Sequence, residues 1–75
     1  MYELFVMPGC PYCRKVMDFM DENKIEYKMR DVSISENHDE LVKLGGKYQV
    51  PFLKDGDVKM YESGEIIEYA KKHKV

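Results

Sequence analysis

The 75-residue chain lacks any apolar run long enough to cross a bilayer. Its opening apolar stretch, Leu4-Phe5-Val6-Met7, falls far short of the roughly 20 residues a membrane helix needs. No basic segment precedes that stretch, so it does not read as a secretory signal, and the default expectation is a cytoplasmic protein. An excess of one charge is missing too. Twelve Lys and Arg stand against 14 Asp and Glu, a formal charge of −2, which argues against nucleic acid as a partner. Internal repeats, low-complexity tracts and linkers are absent, so residues 1–75 read as one domain and a monomer, near the low end of size for an independent core. The balance of 44% hydrophobic and 35% charged residues is that of a globular rather than a disordered chain. Cysteine and histidine are scarce, two of each, and that scarcity makes their positions informative.

Both cysteines lie in Cys10-Pro11-Tyr12-Cys13, after an apolar run and before a stretch with helical periodicity. A helix N-terminus offers unpaired N–H groups and the positive end of the helix dipole, both of which stabilise a negative charge. Cysteines in such motifs can titrate at roughly pH 3.5 to 7.5 instead of roughly 8.5, giving a usable thiolate at neutral pH. Cys10 is therefore the expected nucleophile. Pro11 suits the first helical position, where its missing N–H is not needed. Cys13, one turn on, is expected to be the less exposed thiol, able to close a disulfide or resolve a mixed one. A structural disulfide here would close too small a loop to stabilise much. A zinc site would need two further ligands from His38 and His73, each isolated, so no metal is expected.

The rest of the chain reads as alternating elements. Tyr2-Glu3-Leu4-Phe5-Val6 predicts a strand ended by Pro8-Gly9, and Cys13, Val16, Met17 and Met20 recur at helical spacing from Pro11 to about Asn23. Alternation over 24–32 predicts a second strand with Ile25, Tyr27 and Met29 on one face, so strand, helix, strand implies a parallel crossover. Ser33-Ile34-Ser35-Glu36 has capping-box spacing before a helix over about 36–44, ended by Gly45-Gly46, with Leu41 and Leu44 inward. Asp55-Gly56-Asp57 between β-prone segments predicts a hairpin. Ser63 is placed to cap a last helix reaching about His73, with Ile66, Ile67 and Ala70 inward. Met17, Met20, Leu41, Ile66 and Ile67 read as core.

These residues together resemble glutaredoxins, small members of the thioredoxin-fold superfamily, in Cys10-Pro11-Tyr12-Cys13, in Val50-Pro51 and in the order of elements over essentially the whole chain. The resemblance implies an α/β thioredoxin-like fold: a four-stranded mixed sheet in β-α-β-α-β-β-α order, with a cis bond before Pro51. It also implies a glutathione-dependent thiol–disulfide oxidoreductase that reduces protein disulfides and glutathione mixed disulfides, with Cys10 and Cys13 catalytic. Glutathione would be a co-substrate, and no tightly bound cofactor is implied. Val50 and Pro51 would present backbone groups to the tripeptide, and Tyr12 would flank it. Lys47 would pair with its glycine carboxylate. Glu62-Ser63 resembles the step with which the thioredoxin-like domains of glutathione transferases hold the γ-glutamyl end, an acidic group for the ammonium and a helix N-terminus for the carboxylate.

Two places depart from the glutaredoxin pattern. Met7 stands where many glutaredoxins carry a lysine, so the helix terminus has to supply more of the thiolate stabilisation. Tyr61-Glu62-Ser63-Gly64 replaces the Gly-Gly-Asp segment found after the hairpin in many members, which brings the glutathione cradle nearer the transferase style. Two other functions draw on the same motif: a redoxin that uses both cysteines to donate electrons to ribonucleotide reductase and is reduced by thioredoxin reductase, and a binding module in which two chains bridge an iron–sulfur cluster through Cys10 and two glutathiones.

Overall fold

A computed structural model describes residues 2–73, with nothing described of the His73 side chain, so that part of the zinc reading lies outside the described residues. Strand β1 (Tyr2–Val6) runs into helix α1 (Pro11–Glu22), β2 (Tyr27–Asp31), α2 (Ser35–Gly45), the β3–β4 hairpin (Phe52–Asp55 and Val58–Met60) and α3 (Ser63–His73). The sheet order is β2-β1-β3-β4. β1 pairs in parallel with β2, Leu4 opposite Met29, and antiparallel with β3, Leu4 opposite Leu53; β3 and β4 are antiparallel around Gly56, whose φ is +61°. This is the thioredoxin-like α/β arrangement that the sequence implied.

Strand alternation divides the core in two. Leu4, Val6 and Leu53 meet Cys13, Val16 and Met20 of α1 and Ile66 and Ala70 of α3 on one face. Phe5 and Phe52 meet Val32 and Leu41 on the other, their ring centroids 5.6 Å apart. Each buried Leu, Ile, Val, Met or Phe among them contributes about 1.5–3 kcal/mol by leaving water. Met17, Ile67 and Leu44 are half-buried at the margins of these clusters, less interior than their spacing suggested. None of the helices among the described residues is long and apolar enough to cross a membrane.

The second strand starts three residues later than alternation predicted, because the end of α1 takes up the intervening residues. Asn23 is the cap and Lys24 turns left-handed at φ +55°; its N–H donates to the Asp21 carbonyl at 3.2 Å, and that of Ile25 to the Met20 carbonyl at 2.8 Å. That pair of bonds is a Schellman closure, with Ile25 and Met20 sharing one apolar cluster. Met29 lies on the predicted face but on an edge strand, beyond the cover of α1, and is 55% exposed.

The capping box before α2 does not form. The Ser33 hydroxyl and N–H both go to the Asp31 carboxylate, at 2.7 and 2.8 Å, and Ile34 takes the cap position without a side-chain bond. Gly45 is the last residue of that helix, and Gly46, at φ +83°, closes it. At α3 the first intrahelical bond runs from the Ile66 N–H to the Glu62 carbonyl, which places Glu62 rather than Ser63 at the cap. Across the Phe5 face, the Arg30 guanidinium bonds to Glu3, Glu40 and Asn37 and lies 5.0 Å from the Phe5 ring centre, and Lys54 stands 3.5 Å from Glu3. This charged group joins β1, β2, β3 and α2 over the smaller cluster. Burial pushes the Glu3 carboxyl up, but Arg30 and Lys54 outweigh it and the net displacement is downward.

Candidate functional site

The turn after β1 delivers Cys10 to the start of α1. Gly9, at φ +84°, reverses the chain, and the Cys10 N–H donates to the Met7 carbonyl at 3.2 Å. Cys10 holds extended backbone angles as the cap, and Pro11 enters the helix behind it. The Cys13 N–H donates to Cys10 Sγ at 3.4 Å, so the sulfur does the work that a Ser or Asp oxygen does at other helix starts.

The two thiols are unequal. Cys10 is half-buried, and Cys13 has no exposed surface. Partial burial pushes the Cys10 thiol up, but hydrogen bonds from the Cys13 thiol and from the N–H groups of Cys13 and Tyr12 carry it below its ordinary value. Burial pushes Cys13 up to about 12, and the hydrogen bond and negative charge at Cys10 push the same way. No charged side chain contributes to the displacement of Cys10, so the burden that Met7 leaves to the helix terminus is carried by backbone N–H groups and the second thiol.

Tyr12, from between the two cysteines, lines a groove of about 270 Å³ together with Gln49, Val50, Pro51, Tyr61, Glu62 and Ser63. The Val50-Pro51 bond is cis. Five of the six residues expected to hold a tripeptide therefore face one space, drawn from α1, the loop before β3 and the start of α3. Lys47 is the exception. Its ammonium lies 4.7 Å from the Tyr61 ring centre, and its carbonyl accepts the Tyr61 hydroxyl at 2.9 Å, outside the groove lining. Gln49 was not singled out from sequence, although it adjoins Val50-Pro51 and that adjacency was the available signal. Tyr61 stood out only as the first residue of the Tyr61-Glu62-Ser63-Gly64 segment, with no role of its own.

A four-stranded mixed sheet with a cysteine capping its first helix and a cis-proline before its third strand defines a thioredoxin-fold domain. A solved thioredoxin-like protein superposes over 96% of this chain and 97% of that one with a TM-score of 0.83 at 22% identity, a likeness of fold. The family model for the glutathione S-transferase N-terminal domain matches residues 4–74, and the chain belongs to that family. Dichloromethane dehalogenase of Methylophilus leisingeri is 38% identical over 66 residues, which are 83% of this chain and 25% of that enzyme. Human glutathione-S-transferase T1-1 is 34% identical with a TM-score of 0.83, covering 100% of this chain and 33% of that one. Human glutathione transferase theta-2, solved with glutathione, is 29% identical with a TM-score of 0.84, covering 96% and 31% respectively. The chain thus spans about a quarter to a third of these relatives. The glutaredoxin resemblance holds at the level of the shared superfamily, and the family is that of the transferase domain.

Proposed function

We propose that this domain is a glutathione-dependent thiol–disulfide oxidoreductase built on a transferase-type N-terminal domain. The observation that carries the reading is the unequal pair, Cys10 partly open with its thiol displaced downward and Cys13 buried behind it with its thiol displaced upward. A transfer reaction that uses the thiol of glutathione as nucleophile has no role for two protein thiols one turn apart. Disulfide exchange uses both.

In the one-thiol route, Cys10 thiolate attacks the glutathione sulfur of a mixed disulfide; the old S–S bond breaks, the substrate leaves as thiolate, and Cys10 is joined to glutathione. A second glutathione thiolate attacks that bond, releasing oxidised glutathione and Cys10. In the two-thiol route, Cys10 attacks a protein disulfide and Cys13 then attacks Cys10, releasing the reduced protein and leaving the Cys10–Cys13 disulfide. Once Cys10 carries a disulfide, its charge no longer opposes ionisation of Cys13, so the first step prepares the second. Tyr12, Val50, Pro51, Glu62 and Ser63 would hold the glutathione moiety; the helix start at Glu62-Ser63 favours its α-carboxylate. Lys47 would reach the glycine carboxylate only by leaving the Tyr61 ring.

The test is glutathione-dependent reduction of a small glutathione mixed disulfide. Cys10→Ser should abolish it and Cys13→Ser should retain much of it, whereas protein disulfide reduction should need both; equal loss from both substitutions in the first assay would sink the one-thiol route. Supplying NADPH and thioredoxin reductase in place of glutathione separates the redoxin reading, with ribonucleotide reductase as its electron acceptor.

A second reading, glutathione transfer to a halogenated or other electrophilic carbon, is favoured by the 38% identity to dichloromethane dehalogenase. There the groove would hold glutathione as nucleophile and the N–H groups at the α1 start would stabilise its thiolate. Halide release from dichloromethane with glutathione, undiminished in Cys13→Ser, would favour it.

A further inference from the structure

Charge is distributed unevenly around the groove that Tyr12 shares with Val50 and Pro51. Among the described residues that line it, Glu62 is the only one with a charged side chain, and it adjoins Ser63 at the start of α3. A carboxylate, a hydroxyl and a helix start together suit the α-ammonium and α-carboxylate of a γ-glutamyl group. The lining beside the cis-proline is neutral: Gln49, Val50 and Pro51 present a side-chain amide and backbone groups. An amide NH₂ can donate to an ester or peptide carbonyl as well as to a carboxylate.

Lys47, the cation expected at the glycine end of a bound tripeptide, is engaged elsewhere. Its ammonium lies 4.7 Å from the Tyr61 ring centre, and its carbonyl accepts the Tyr61 hydroxyl at 2.9 Å. Tyr61 is itself held, its ring 4.7 Å from that of Phe52. Lys47 lines a neighbouring recess of about 820 Å³ that shares only Tyr61 and Glu62 with the groove. Moving the exposed lysine onto a carboxylate in the groove would exchange one weak contact for another. A cation over a ring at an exposed site and an exposed ion pair are each worth no more than about fivefold in an equilibrium constant, so the exchange gains little. We infer that the groove reads the γ-glutamylcysteinyl part of its ligand and leaves the third residue unread. Its substrates are then γ-glutamylcysteinyl thiols as a class, whether the glycine carboxylate is free, esterified or extended into a longer peptide. This specificity rests on the glutathione reading proposed above and adds which end of the tripeptide is recognised.

The experiment is calorimetric titration of the reduced protein with three reduced thiols: glutathione, its glycine ethyl ester, and glutathione acetylated on the α-amine. The ester should bind within about threefold of glutathione, because it removes a charge to which no lining group is committed. The acetylated form should bind about fivefold or more weakly, because it removes the partner of Glu62 and adds bulk at the helix start. An ester weaker by about fivefold or more would overturn the specificity while leaving the glutathione reading intact. So would an acetylated form that binds as tightly as glutathione, or a Lys47→Met variant that loses about tenfold for glutathione and nothing for the ester. Binding of none of the three would overturn the specificity and the glutathione reading together.

Discussion

The Tyr61 hydroxyl occupies the space that a side chain at Gly45 would need. A Cβ built on Gly45 would lie 1.8 Å from that oxygen and 2.6 Å from the ring carbon bearing it. Tyr61 cannot withdraw cheaply, since its ring packs 4.7 Å from Phe52 and its hydroxyl bonds the Lys47 carbonyl. Gly45→Ala should therefore destabilise by about 1–3 kcal/mol, the usual range for overpacking, with a lowered melting temperature. Because Tyr61 also lines the groove, the same variant should bind glutathione more weakly in a direct titration.

Lys24 holds a left-handed conformation at the end of α1, which costs an L-residue about 1–2 kcal/mol. Lys24→Gly should raise stability by about 0.5–1 kcal/mol in denaturant unfolding, the glycine closing the same Schellman bonds without a Cβ penalty. A lowered midpoint would mean that the lysine side chain contributes more than its backbone strain.

Cys13 makes stability fall at alkaline pH. Its native thiol is pushed up to about 12, above the ordinary value near 9, so between those values the unfolded chain has lost a proton that the native state retains. Stability then declines by up to about 1.4 kcal/mol per pH unit from this group. Tyr69, pushed up to about 12 by its bond to Asp55, adds to the decline above its ordinary value of 10. Urea unfolding under reducing conditions should show a shallower decline in Cys13→Ser. Cys10 is displaced the other way, so its alkylation by iodoacetamide should stay fast below the pH at which a free cysteine slows.

Arg30→Met should cost about 1–3 kcal/mol, since it leaves the Glu3 and Glu40 carboxylates and the Asn37 amide without a shared donor. The acid limb should move too. Glu3 is held below its ordinary value, so its contribution is present above the unfolded value and lost as pH falls through the native one. Without Arg30, acid unfolding should begin at a higher pH.

The periodic elements were legible because each carries its own pattern: Val16 and Met20 at helical spacing, and β-prone Tyr2–Val6 ended by Pro8-Gly9. The cysteine turn was legible because Pro11 behind Cys10 states a helix start. What was not legible depended on competition between partners. Ser33 could bond the helix it precedes or Asp31 behind it, and only the folded chain decides. The pattern at residues 24–26 suited a strand, yet the closure of α1 needed those residues first. The Arg30 group joins four elements, and no local pattern announces contacts that distant.

Met7 and the hydrogen bonds around Cys10 together set how the thiol responds to its surroundings. Where a lysine holds a thiolate, dissolved salt screens the attraction. Here the stabilising groups are the N–H groups of Cys13 and Tyr12 and the Cys13 thiol, all in direct contact. Thiol reactivity in this domain should therefore be nearly insensitive to ionic strength. Two of those three groups belong to the peptide chain itself, so few side-chain exchanges nearby can undo the downward displacement of the Cys10 thiol.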